Sequence, residues 1–496
     1  MNSFINLLKE QYNYATTENG ATTHWTTFNK VYDMFAFGGA YRNRSDDDVI
    51  LLFKEAFEQD KEMAIKCLFY LRDVRGGQGE RRFFRVAYRW LAKNYPIYAR
   101  QNMDKIPEFG RWDDLIEVTY GTYIEFDAFE LIKRQLILDA QCKTPSLLAK
   151  WLPSENASSP HTKMLGYKIR EFMELNHKEY RKLLSGLRTR INIVEKLMSE
   201  NRWDEIEFDK IPSKAGLKYK NAFARREIIA KKYEAFAKDA NTTVNAATLY
   251  PYEVVAKVVD KIESGWREYS LRITETDRAM INKYWQNLPD YFNGKSSNMM
   301  CVVDTSGSMT GPNAAAPINV AISLGMYCAE RNEGPFKNYY ISFSHEPRLV
   351  EIRGVDFVDK VARIYATNVC ENTNLTAVFE MLLKIGMSGV KLPETLVVIS
   401  DMEIDCMSYW STPQDMITEM ERIRNAYKAN RIKMPKLIYW NVDARQNNIL
   451  DLGPEVSFVS GMSPVIFKSV LTGKNGIDLM LEVLGSQRYK DICINE

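Results

Sequence analysis

The run Met299-Met300-Cys301-Val302-Val303 is apolar at successive positions rather than alternate ones. A strand of that kind must be covered on both faces, as strands are in a parallel sheet layered with helices. It empties into Asp304, Ser306 and Ser308, with Gly307 between the serines to permit a tight turn. Oxygen-bearing side chains aimed from the end of a strand suit a hard divalent cation; Mg²⁺ takes about six oxygens in near-octahedral geometry and usually keeps some waters. Taken alone, D-x-S-x-S also fits an ordinary turn, because Asp and Ser are common turn residues.

From Lys295 onward the chain alternates apolar strands with helices. The pattern predicts strands at 299–303, 338–343, 348–352, 395–400, 436–442 and 456–459. It predicts helices at about 317–331, 356–366, 375–387, 414–429, 464–472 and 476–485. Such alternation implies a mainly parallel sheet covered on both sides, with ligands gathering beyond the carboxyl ends of its strands. Two further oxygen donors fall there: Thr373 in E-N-T-N-L-T-A-V-F-E, just before an apolar helix, and Asp401 after L-V-V-I-S.

The order D-x-S-x-S, then Thr, then Asp resembles the metal-ion-dependent adhesion site of von Willebrand factor type A domains. That resemblance implies Asp304, Ser306, Ser308, Thr373 and Asp401 as ligands of Mg²⁺, or of Mn²⁺ or Ca²⁺ in its place. With one carboxylate bound directly, a dication is left underneutralised, and an acidic side chain from a partner could supply the missing charge. Glu403 and Asp405 are either supporting acids or caps of the next turn.

Residues 1–295 read instead as helix after helix. Val49, Leu52, Phe53 and Phe57 mark one buried helical face over Asp47–Glu58. Ala64, Cys67, Leu68 and Leu71 do the same over Lys61–Asp73, and Phe84, Tyr88 and Leu91 over Arg81–Asn94. Short helices joined by tight turns suggest an α-solenoid of degenerate HEAT-like pairs, without an exact repeat period. The expected organisation is therefore two domains, α-helical over 1–295 and α/β, doubly wound, over 296–496. R-G-G-Q-G-E-R-R at 75–82 lacks the form of a nucleotide loop and follows a helix rather than a strand, so it reads as a helix–helix turn with nearby arginines and implies no nucleotide. The segment 143–163 reads as an exposed loop after a short helix, and Tyr180–Ser199 as one long amphipathic helix.

Net charge is +2, unevenly divided: residues 1–295 carry 47 Lys/Arg against 41 Asp/Glu, and residues 296–496 carry 19 against 23. Any nucleic-acid surface must then be a local patch. Residues 210–232 hold eight basic side chains and one acid, and on a helix Lys214, Lys218, Arg225 and Lys232 fall near one face. That face is either merely solvated or tracks RNA phosphates, with Lys220, Arg226, Arg188 and Arg190 as further candidates. Seven scattered cysteines without a C-x-x-C pair, and only four histidines, argue against zinc and fit a reducing, cytoplasmic setting. The longest apolar runs are of strand length, far short of a membrane span of about 20 residues, and the first ten residues do not form a signal peptide. Enzyme chemistry finds little support. His345 stands alone after a strand, Cys301 lies within one, and two-metal nucleases need more clustered carboxylates than Asp304 and Asp401 supply.

With both halves placed, the chain is similar to the TROVE-module proteins typified by the Ro autoantigen. These join a helical ring of HEAT-like repeats to a C-terminal von Willebrand A domain. It is closer still to a related family of unknown function found in phages, giant viruses, bacteria and plants. The segments that carry the likeness are L-F-Y-L-R-D-V-R-G-G-Q-G-E-R, I-P-E-F-G-R-W-D-D-L, A-K-W-L-P-S-E, L-S-G-L-R-T-R-I-N-I-V-E, I-P-S-K-A, V-D-T-S-G-S-M, N-T-N-L-T-A-V-F-E, I-S-D-M-E-I-D and V-S-G-M-S-P. The resemblance implies binding of small structured or misfolded RNA by the helical half. Its threonine loop reads E-N-T-N where Ro-type domains carry Gly-Gly before the Thr, which bears on metal access. The alternative is a metal-dependent protein-interaction module, in phage or viral assembly, without RNA.

Overall fold

The computed structural model describes residues 13–18, 22–191, 193–264, 269–292, 298–343, 346–367, 374–404, 419–450, 453 and 455–495. Many helices fill the chain up to Gln286, and a six-stranded, mostly parallel sheet organises the remainder.

The helices form where the apolar spacing places them. Ser45 caps Asp46–Gln59, its hydroxyl accepting from the Asp48 N–H while the Asp48 carboxylate accepts from the Ser45 N–H, and Val49, Leu52, Phe53, Ala56 and Phe57 are buried. Lys61–Arg72 and Arg81–Asn94 follow, the second burying Phe83, Phe84, Ala87, Tyr88 and Leu91. Between them the glycine-rich loop folds back on the helix it leaves. Gln78, Gly79 and Glu80 N–H groups donate to the carbonyls of Tyr70, Asp73 and Leu71 at 3.1, 3.0 and 2.7 Å. Its glycines therefore serve a helix–helix turn; Gly79 has φ +67°, and a Cβ there would fall 1.8 Å from the Tyr250 hydroxyl oxygen.

Three expectations for this half change. Two short hairpins interrupt the helices, β1 (Tyr14–Thr16) with β2 (Thr22–His24), and β3 (Ile262–Ser264) with β4 (Tyr269–Leu271). The single helix expected over Tyr180–Ser199 is two, His177–Ile191 and Val194–Ser199, because Ile193 adopts an extended backbone. The basic stretch after Pro212 is also two helices, Ser213–Ala224 and Glu227–Lys238. Arg226 is extended between them, so Lys232 lies on a different helix from Lys214 and Lys218, while Arg225 caps the C-terminus of theirs.

The sheet runs β10-β9-β8-β5-β6-β7, comprising β5 (Met299–Asp304), β6 (Tyr339–Phe343), β7 (Leu349–Glu351), β8 (Thr395–Ser400), β9 (Lys436–Asn441) and β10 (Val456–Ser460). All neighbours are parallel except β7, which pairs antiparallel with β6 at the edge. Every residue of β5 is buried, as expected of a strand covered on both faces. The Pro317–Arg331 helix is buried along most of its length against β5.

The two regions meet at several places. Lys30–Phe37 lies on β10, where the Phe458 N–H donates to the Tyr32 hydroxyl at 2.9 Å and the Gly39 N–H to Ser460 Oγ at 3.0 Å. His24 and Ile449 exchange backbone hydrogen bonds of 2.9 and 3.1 Å. Buried Asp73 receives Arg488 through two guanidinium nitrogens at 2.8 and 3.0 Å, and the Tyr489 hydroxyl at 3.1 Å. Late and early parts of the helical region also touch: the hydroxyl of Tyr250, the cap of Pro251–Val259, donates to the Gln78 carbonyl in the glycine-rich loop at 3.3 Å. Among the described residues no helix is long and apolar enough to cross a membrane.

Candidate metal centre

β5 and β8 are adjacent and in register, Val303 opposite Ile399, so Asp304 and Asp401 leave the same edge of the sheet side by side. Both carboxylates are buried, as is Ser306, while Ser308 is half-buried. Asp304 accepts from the Ser306 N–H at 2.9 Å and from the Ser400 hydroxyl at 2.5 Å. Ser306 Oγ and Ser308 Oγ lie 3.0 Å apart. The Glu403 N–H donates to Asp401 Oδ1 at 3.2 Å. Asp401 Oδ2 is buried and accepts no hydrogen bond.

The electrostatics of this edge are unbalanced. Burial pushes the Asp304 carboxyl well above the usual carboxylate range, and the Asp401 charge pushes it further. Burial likewise raises Asp401, against the lowering pull of the Glu403 N–H, the Ser308 hydroxyl and Arg445. Two buried carboxylates that disfavour each other's ionisation form a site that a cation would relieve. The orphaned Asp401 oxygen and the paired serine hydroxyls fit a hard, oxygen-seeking ion. The structure thus brings Asp304, Ser306, Ser308 and Asp401 together; Thr373, Asp405 and His345 lie outside the described residues. No three His, Cys, Asp or Glu side chains among the described residues are grouped to cage a metal, so serine oxygens and water would have to complete the shell. Glu403 supports rather than joins the set: it is buried, with Oε2 accepting from the Glu18 N–H at 2.8 Å and Oε1 from Asn448 Nδ2 at 3.0 Å.

Most basic residues singled out in the helical region are engaged within the protein. Lys214 pairs with Glu253 at 3.1 Å and Lys220 with Asp277 at 3.2 Å. Lys232 Nζ donates to the carbonyls of Asp204 and Ile206, at 2.9 and 2.7 Å. Arg226 stacks on Trp203 at 4.0 Å. Arg188 donates to the Ala149 and Leu152 carbonyls and to Ser154 Oγ, and Arg190 to the carbonyls of Ala140 and Cys142. Lys218 has only the Tyr219 ring at 5.0 Å, and Arg225 has no ion pair among the described residues.

A different basic cluster emerges that the sequence did not flag. Four arginines surround two aspartates. Arg72 Nε and Nη2 donate to Asp114 Oδ2 at 2.9 and 2.6 Å, and Arg85 reaches Asp114 Oδ1 and Asp113 Oδ2 at 2.7 and 2.8 Å. Arg111 Nη2 reaches Asp113 Oδ2 at 2.6 Å. Among the described residues the Arg81 side chain has no ion pair or hydrogen bond; burial and the charges of Arg111, Arg85 and Arg72 hold it below the usual arginine range. Beside the cluster Arg111 stacks on Trp151 at 4.0 Å, and Lys150 Nζ lies 5.7 Å from the same ring. Lys150 stands where three cavities of about 490, 380 and 250 Å³ meet, and Arg188 lines the larger two. The available signal was R-R at 81–82, three residues before Arg85, together with R-W-D-D, but these come together only once helices distant in sequence have packed.

The family model for a domain of unknown function, DUF2828, matches residues 17–125 and 146–296, and that for a second, DUF7788, matches 298–490. An uncharacterized protein, L728, of Acanthamoeba polyphaga mimivirus is 27% identical over an alignment covering 97% of this chain and 89% of that protein. The chain belongs to the DUF2828 family.

Proposed function

We propose that this chain is a binding scaffold rather than an enzyme: the helical region holds RNA, and the sheet region holds Mg²⁺ and through it an acidic partner. The observation that carries the RNA reading is the cluster of three guanidinium groups on two carboxylates, with Arg81 beside them. Positive charge left over in a partly buried place is costly unless an anion completes it, and phosphate suits the planar guanidinium fork. Trp151, with Lys150 and Arg188 beyond it, extends the cluster along the adjoining cavities. A base can stack there while cations follow the backbone.

The finer likeness to Ro-type proteins belongs to this proposal. A HEAT-like ring is supported by the Tyr250–Gln78 hydrogen bond, which joins late and early parts of the helical region. A von Willebrand A fold with a metal-ion-dependent adhesion site is supported by the strand order and by the four converging oxygen donors. In such a site Asp304 and Asp401 would supply charge, and Ser306, Ser308 and Thr373 neutral oxygens; bound Mg²⁺ would offer a partner's carboxylate an open coordination position.

Filter binding of structured RNA across a salt series tests the first half. Submicromolar, steeply salt-dependent binding is expected, weakened about tenfold or more by Arg81→Glu with Lys150→Glu, and far less by Lys218→Glu with Arg225→Glu. Salt-insensitive or absent binding would favour a metal-dependent protein-interaction module without RNA, a reading consistent with the pairing of four of the eight 210–232 cations with acids of the same chain. For the second half, Asp304→Ala should abolish calorimetric Mg²⁺ or Mn²⁺ binding while the helices stay folded.

A further inference from the structure

We infer that the chain carries its own occupant for the recognition face of this site. Arg445 stands in for the cation, and Glu18, from the N-terminal strand region, stands in for the acidic partner. The inference rests on the metal reading above and concerns how that site is regulated.

Arg445 lies across the opening. Its Nη2 is 3.8 Å from Asp401 Oδ2, the buried oxygen that accepts no hydrogen bond, and donates to the Ser308 carbonyl at 2.7 Å. Its Nη1 donates to Glu18 Oε2 at 3.2 Å. One guanidinium therefore joins the serine loop, the sheet carboxylate and an incoming carboxylate, the same three partners that a dication in such a site would join. Glu18 arrives there because the end of the first strand is fastened to the loop that carries Asp401. Its N–H donates to Glu403 Oε2 at 2.8 Å, and Thr17 Oγ1 donates to the Ile404 carbonyl at 2.7 Å.

Charge density decides the competition. Glu18, Asp304, Asp401 and Glu403 crowd this edge with Arg445 as their cation. A guanidinium spreads one charge over a broad plane and cannot enter a cage of oxygens sized for a small ion. The Arg445 and Glu18 side chains are 37% and 46% exposed, so their pair is of the weak kind that water and salt loosen. An entering dication would take over Asp401, repel the guanidinium and release Glu18, exposing the face to an acidic partner only when metal is present.

The test is calorimetric titration of Mn²⁺ into the full-length protein and into its Arg445→Gln and Glu18→Gln variants. Hydrogen exchange of the amides in residues 13–18 is followed with and without Mn²⁺. Arg445→Gln should bind Mn²⁺ about fivefold tighter, because a competing charge is gone. Glu18→Gln should speed exchange in residues 13–18 without metal, and Mn²⁺ should speed it in the unmodified protein. Binding detected only in Arg445→Gln would also support the stand-in. Mn²⁺ bound by the unmodified protein, with Arg445→Gln unchanged or weaker and exchange unaltered or slowed, would overturn the stand-in and leave the metal site intact. Absence of binding in all three proteins would overturn the metal reading itself and the stand-in with it.

Discussion

The edge of the sheet at Asp304 and the arginine cluster at Asp114 pose one electrostatic problem with opposite signs. At the sheet edge, two buried carboxylates face serine hydroxyls and a guanidinium 3.8 Å away, so negative charge is in excess. In the helices, Asp114 is fully buried yet its carboxyl lies below the usual range, because the charges of Arg72 and Arg85 outweigh the effect of burial. A carboxylate is thus a source of strain in one place and the keystone in the other. The contrast shows that burial alone does not say whether an ionisable group stabilises a fold; the balance of its neighbours does.

Removing one acid from each region is the sharpest way to break the comparison. Asp114→Ala should cost about 3–5 kcal/mol in denaturant unfolding, because it strands buried guanidinium groups. A lowered pKa also fixes the sign of the pH dependence. The contribution of Asp114 is complete above the unfolded carboxylate value of about 4 and is lost only as pH falls through its depressed folded value. Arg81→Glu should act in the other direction, raising stability by about 1 kcal/mol by relieving guanidinium repulsion while weakening RNA. Asp304→Asn should likewise leave the metal-free protein as stable or more stable, by up to about 1 kcal/mol, since Asn still accepts a hydrogen bond without the charge beside Asp401; calorimetry should show Mn²⁺ binding lost. The smallest effect is expected for Lys218→Glu with Arg225→Glu, within about 0.5 kcal/mol by thermal unfolding, because neither cation holds a carboxylate. A loss there comparable with that at Asp114 would erase the distinction between a solvated patch and a built one.

The two regions also differed in how openly the sequence displayed them. The sheet was legible almost strand by strand, and the Pro317–Arg331 and Leu375–Met387 helices have the limits their periodicity implied. Short local patterns decide such elements, and D-T-S-G-S places three oxygen donors within five residues. The arginine cluster was hidden for the opposite reason: Arg72, Arg81, Arg85 and Arg111 sit on two helices and a connecting turn, and nothing local announces that Asp114 and Asp113 gather three of them. The run at 210–232 misled because charge density in sequence ignores acids that arrive from elsewhere, Glu253 for Lys214 and Asp277 for Lys220. The break at Ile193 was invisible because its neighbours keep the helical spacing of apolar residues. Glu18 could not have been connected to Glu403 or Arg445 at all, since those contacts span most of the chain.

The backbone exchange between His24 and Ile449 has a consequence for how the molecule is made. On the ribosome, residues near the start emerge hundreds of positions before the segment that receives them. The hairpin can pair within itself but must wait undocked while helices and sheet take shape around a seat that does not yet exist. What is made before its seat is docked after it.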